Sequence, residues 1–131
     1  MEPHTTLRWI VFPSVLLGLL LHAYVCFLVP DGDSNWFTLG LFALSILPYL
    51  ACLIVGTRSF CGQLMAACAI LPLLLLDSIA FHEAFVDPST STSSLVLLIV
   101  PVANLVVLSL GFLAGRIVFT RGRRNTKAKL R

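Results

Sequence analysis

Four apolar runs of membrane-spanning length, set between short polar breaks, constrain this chain more than any motif in it. They occupy residues 9–29, 37–55, 62–82 and 95–115, and each is close to the roughly 20 residues a helix needs to cross a hydrocarbon core. The surrounding composition agrees. Of the 131 residues, 58% are hydrophobic and 11% charged, with a mean hydropathy of +0.97, whereas soluble domains carry roughly 25% charged residues. The length leaves room for four crossings and no separate soluble domain, so residues 1–131 are read as one membrane domain.

The breaks carry turn and helix-end signals. Pro30, Asp31, Gly32, Asp33, Ser34 and Asn35 form a turn-rich acidic loop, and Gly56 to Gly62 make a tight connection that contains Arg58. Asp87-Pro88 ends the third run, because the residue before proline is biased away from helix, and Ser89 to Ser94 offer hydroxyls to cap the fourth. The first run is longer than the 7–15-residue apolar core typical of a signal peptide and no A-x-A-like site follows it. It is therefore read as a span. Each run holds one proline, at Pro13, Pro48, Pro72 and Pro101. Pro48 and Pro72 fall near mid-membrane, where they should bend their helices.

Charge predicts orientation, since Lys and Arg collect in cytoplasmic loops. With four spans, the N-terminus, the second loop and the tail share one side. Arg8, Arg58, Arg116, Arg121, Arg123, Arg124, Lys127, Lys129 and Arg131 all fall there, while Asp31, Asp33, Glu83 and Asp87 fall on the other. The predicted fold is thus all-α: an integral membrane, antiparallel bundle of four transmembrane helices with both termini cytoplasmic. The basic tail, 116–131, is read as a topology signal with no fold of its own. It has no aromatic residue to stack on a base after Phe119, so no nucleic-acid partner is expected.

At 100° per residue every run presents one small or polar face. These faces are Gly18, His22 and Cys26 on the first, Thr38, Ser45, Tyr49, Cys52 and Gly56 on the second, Gly62, Ala66, Leu73, Asp77, Ala80 and Ala84 on the third, and Asn104, Leu108, Gly111 and Gly115 on the fourth. Such faces pack helix against helix in lipid. Gly111 and Gly115 form a GxxxG at the depth of Gly62 and Ala66, which predicts close approach of the third and fourth helices there. A homodimer face is the other use of that pattern.

Asp77 is the residue most out of place, since an aspartate in the membrane costs about 2.5–3.5 kcal/mol on insertion scales and normally faces the bundle interior with a partner. At 1.5 Å per residue it lies roughly 7–8 Å outward of mid-span, with His22 a little outward of centre and Asn104 and Ser45 near it. Asp77, His22, Asn104 and Ser45 form the candidate intramembrane polar cluster. His82, Glu83 and Asp87 read as a solvated rim rather than a metal site, because adjacent helical residues point about 100° apart. Cys26, Cys52, Cys61 and Cys68 contain no CxxC, and no phosphate loop, nucleophile elbow or zinc-protease motif occurs. No catalytic residue, cofactor or metal is expected.

The stretch Asp87-Pro88-Ser89-Thr90-Ser91-Thr92-Ser93-Ser94 running into Leu95 and then Pro101 resembles a pattern in uncharacterised small bacterial four-span inner-membrane proteins. The resemblance covers about a fifth of the chain; it implies a bacterial inner membrane and no particular activity. Two roles are expected from the residues. The first is a non-enzymatic interaction, accessory or immunity-type protein whose partners are the bilayer and another membrane protein or a second copy. The alternative is a small oligomeric proton-linked transporter or carrier using Asp77 and His22.

Overall fold

The computed structural model describes residues 3–28, 36–86 and 93–129, with side chains for 7–28, 36–86 and 98–123. The expectations for Asp31, Asp33, Asp87, Pro88 and the caps at Ser89 to Ser94 therefore lie outside the described side chains. The described residues are helical, with no strand: α1 (Pro3–Ala23), continued by a π-helical turn (Tyr24–Leu28), α2 (Trp36–Arg58), α3 (Phe60–Phe81), continued by a second π-helical turn (His82–Val86), and α4 (Ser93–Lys129). Four segments, Leu7–Leu28, Trp36–Arg58, Phe60–Val86 and Leu98–Arg123, are long and apolar enough to cross a membrane. Helix is the local solution because a backbone in hydrocarbon has no water to bond and must satisfy its own N–H and C=O groups.

The side-chain distribution is turned inside out relative to a soluble bundle. Leu16, Leu17, Leu20, Leu75, Ile79, Leu110 and Leu113 are exposed, while His22, Ser45, Gln63, Asp77 and Asn104 are buried. A continuous apolar exterior of this kind is stable only against lipid or another apolar surface. All four prolines lie inside their helices, and Pro48 and Pro101 are fully buried against neighbours.

α3 is the most extensively packed helix: it and α2 both touch all three others, α3 the more broadly, whereas α1 makes no contact with α4 among the described residues. Ser59 separates α2 from α3 as an N-cap, its hydroxyl accepting from the Gly62 amide at 3.1 Å. The pair α3 and α4 is the most extensive, and its glycines explain why. A Cβ added at Gly111 would lie 2.4 Å from the Ala69 Cα, and one at Gly115 would lie 2.5 Å from the Met65 Cα. The close approach expected at this GxxxG is present, so this motif is occupied inside the chain. Its partners on α3 differ from those expected, however. Ala66 faces Gly56 of α2, and Gly62 sits on the Val55 carbonyl. At 100° per residue Ala69 lies about 20° from Gly62, at the edge of the small-residue stripe, and Met65 about 60° beyond the same edge, so α4 packs along one border of the stripe while its centre meets α2.

The basic tail also differs from its expectation. α4 continues without a break to Lys129, because no proline follows Pro101 and the tail is rich in Arg and Lys, both good helix formers.

Candidate functional site

Asp77 sits on the buried face of α3, 3% exposed, and receives one hydrogen-bond donor from each of the other three helices. From α1, His22 Nε2 lies 3.0 Å from Asp77 Oδ2. From α2, the Tyr49 hydroxyl donates to the same Oδ2. From α4, Asn104 Nδ2 donates to Oδ1 at 2.7 Å. A buried carboxylate is tolerable only when its oxygens are met by donors or a cation; here α3 supplies the acceptor and each neighbour one donor. His22, Asp77 and Asn104 are thus brought together. Ser45 is buried in the wall of the adjoining cavity and makes none of the Asp77 bonds described here.

Tyr49 is the member that sequence reasoning missed. It stands on the same α2 stripe as Ser45, four residues on, and a phenol reaches farther than a serine hydroxyl. Residue type and spacing could have found it; choosing by depth of the Cα alone could not. Its ring is seated by a glycine, because a Cβ at Gly18 would lie 2.0 Å from a ring carbon. His22 packs edge-on to the same ring, with centroids 5.6 Å apart. Gly18→Ala should therefore swing the phenol away from Asp77. In a double-mutant cycle of detergent unfolding, Gly18→Ala and Tyr49→Phe should each destabilise and the pair should fall short of the sum; full additivity would mean that Gly18 acts elsewhere.

Asn104 is 0% exposed and its Oδ1 has no hydrogen-bond partner among the described residues. That gives the pair two states. With Asp77 as carboxylate, the amide Nδ2 donates as observed; with Oδ1 protonated, a half-turn of the amide presents Asn104 Oδ1 as acceptor. Side chains already in place can thus accommodate a proton on Asp77 without moving a helix.

A cavity of about 320 Å³ opens beside the cluster, toward the end of the bundle where α1 and α3 finish and α2 begins. Its walls include Phe37, Thr38 and Leu41 of α2, Phe81 and Phe85 near the end of α3, and Val100 and Pro101 of α4, with His22, Ser45 and Asp77 as its deeper polar groups. Both π-helical turns contribute, through Val25 and Cys26 on one side and Phe85 on the other. A π turn widens the helix by one residue and re-aims the side chains after it, and such turns concentrate at functional sites. His22 and Asp77 line this cavity, whereas Tyr49 and Asn104 lie behind them.

No group of three or more His, Cys, Asp or Glu side chains that could hold a metal occurs among the described residues. His82 and Glu83 are exposed. The four cysteines are unpaired thiols, with Cys26 and Cys52 buried. Comparison of the chain with protein-family models, curated proteins and solved structures finds no match. Functional inference therefore rests on the chemistry of the cluster and its cavity.

Proposed function

We propose that this chain is a small non-enzymatic membrane protein that binds and exchanges a small ligand against protons in a cavity floored by Asp77 and His22. Its proposed setting is an antiparallel four-helix bundle in a cell membrane, of the bacterial inner-membrane kind, with both termini cytoplasmic. The helix registers support this: Val11 meets Gly56, Gly18 meets Tyr49, Tyr49 meets Asp77, Gly56 meets Ala66, and Ala69 meets Gly111. Arg8, Arg58, Arg116, Arg121 and Arg123 lie at one end of that bundle, in keeping with the charge rule for cytoplasmic loops, and on that orientation the cavity opens to the outside.

The observation that carries the reading is the position of His22, which is both a partner of Asp77 and part of the cavity wall. An apolar pocket with a few convergent polar groups is the ordinary form of a ligand site, and ionisable groups inside a membrane mark ion and substrate paths. The test uses proteoliposomes loaded with a pH-sensitive dye and challenged with benzyltrimethylammonium, benzyl alcohol and benzenesulfonate. At least one of these should move protons with the wild-type protein and none with Asp77→Asn. If the pH response is the same in both, the carrier reading fails.

An accessory or immunity-type role is the second reading. It is favoured by a largely apolar groove along α1, lined by Trp9, Phe12, Pro13, Leu16 and Leu19 with Leu53 of α2 and with Arg8 at one end, a surface that a partner helix could occupy. A protein recovered from mild detergent without any stoichiometric partner would count against it.

A further inference from the structure

We propose that the ligand of the Asp77–His22 cavity is a hydrophobic organic monocation, an amine or quaternary ammonium whose charged head meets Asp77 and whose body lies among Phe37, Phe81 and Phe85. This rests on the proposed function above and specifies its ligand class. The first support is charge. The described lining contains one carboxylate, Asp77, and no Lys or Arg, and every Lys and Arg in the chain precedes Trp9, adjoins the α2–α3 connection or follows Gly115. An anion would sit beside a carboxylate with His22 as its sole basic neighbour. A neutral molecule would gain nothing from Asp77, whose oxygens already have protein donors. A cation gains the carboxylate's field in a setting where little water screens it, and aromatic faces add to that attraction.

The second support is the order of the three donors. Tyr49 and Asn104 are shielded from the cavity, while His22 reaches both the cavity and Asp77 Oδ2. An incoming cation therefore meets Asp77 beside His22, and the two compete for the carboxylate. Among the described residues, the titratable groups bonded to Asp77 are His22 from α1 and Tyr49 from α2; α4 presents Asn104, which does not titrate. A proton taken up by the His22–Asp77 pair cancels the charge that attracts the cation, so proton and cation compete for one site and cation affinity should fall as pH falls. This competition supplies a direct exchange of proton for ligand at one carboxylate.

The deciding experiment compares two probes of the same shape, benzyltrimethylammonium and neopentylbenzene, which differ only in charge. Equilibrium binding is measured on the full chain in nanodiscs, with empty nanodiscs subtracted. The cation should bind at least tenfold more tightly than the neutral probe, and its affinity should drop on going from pH 8 to pH 5. Asp77→Asn should remove at least tenfold of the cation's affinity and leave the neutral probe unchanged. Should Asp77→Asn fail to fold, the wild-type charge preference and its pH dependence still decide the matter. Equal binding of the two probes, or a preference insensitive to both pH and Asp77→Asn, overturns the proposal. A variant that fills the cavity, Leu41→Trp, separates the two levels. If it abolishes equal binding of both probes, the cavity is a ligand site and only the cation assignment falls; if it changes neither, the cavity reading falls as well.

Discussion

Asp77→Leu should cost about 2–5 kcal/mol of stability, measured by detergent-induced unfolding in micelles, and should be the most damaging single substitution in the cluster. The estimate follows from what is left behind. Interhelical hydrogen bonds in membranes are worth about 0.6 kcal/mol on average and up to about 1.7, so Tyr49→Phe, which deletes one donor and strands none, should fall in that range. Asp77→Leu instead removes the common acceptor of three donors on three different helices, and stranding buried polar groups costs more than deleting a bond together with both its partners. A leucine in an apolar bundle recovers some of this by packing, so the value stays well below the sum of three isolated desolvation penalties. If Asp77→Leu proves no worse than Tyr49→Phe, the donors have other partners and Asp77 is not the common tie. The same comparison bears on function, because a residue that holds all four helices together is also the group proposed to exchange proton for ligand.

The second large effect is expected at the α3–α4 contact. Gly111→Leu should destabilise by about 3 kcal/mol or more, at or above the usual 1–3 kcal/mol range for overpacking, since even a methyl group there would overlap the backbone of Ala69. Backbone atoms cannot rotate aside as a side chain can, so the helices must separate. Gly40→Ala is the internal comparison. Nothing lies within 4 Å of a Cβ at Gly40, and adding one inside a helix is worth roughly 0.5–1 kcal/mol in its favour. Opposite signs for these two glycine substitutions in the same unfolding assay are the expected result; equal, small effects would mean that α4 does not depend on the tight approach. Because Asn104 stands seven residues from Gly111 on α4, about two turns, parting the helices at Gly111 should also draw Asn104 away from Asp77 and lower ligand affinity.

Much of this protein was legible before its tertiary structure. The length and apolarity of four runs required four helices, since a chain in lipid must satisfy its own backbone. The period of 3.6 residues placed His22, Ser45, Tyr49, Asp77, Asn104, Gly111 and Gly115 on the small or polar faces, and all of them are buried. The spacing also made Asp77 and His22 candidates for one another. Periodicity reports direction around an axis and rise along it, and both are local properties.

What it does not report is which neighbour a face meets. That Ala66 turns to α2 while Met65 and Ala69 receive the glycines of α4 depends on how four cylinders share contacts in space. That Tyr49 rather than Ser45 completes the Asp77 cluster depends on side-chain reach, which for a phenol is comparable with the roughly 5.4 Å rise of one helical turn and so can offset a difference in Cα depth. The cavity is likewise a property of the assembled helices, formed where the π-helical ends of α1 and α3 part beside the start of α2. The sequence alone determined that Asp77 must lie inside and find partners, because the membrane penalises any other placement. Only the tertiary structure decided that those partners come one from each remaining helix, and that His22, alone of the three, lines the cavity together with the carboxylate.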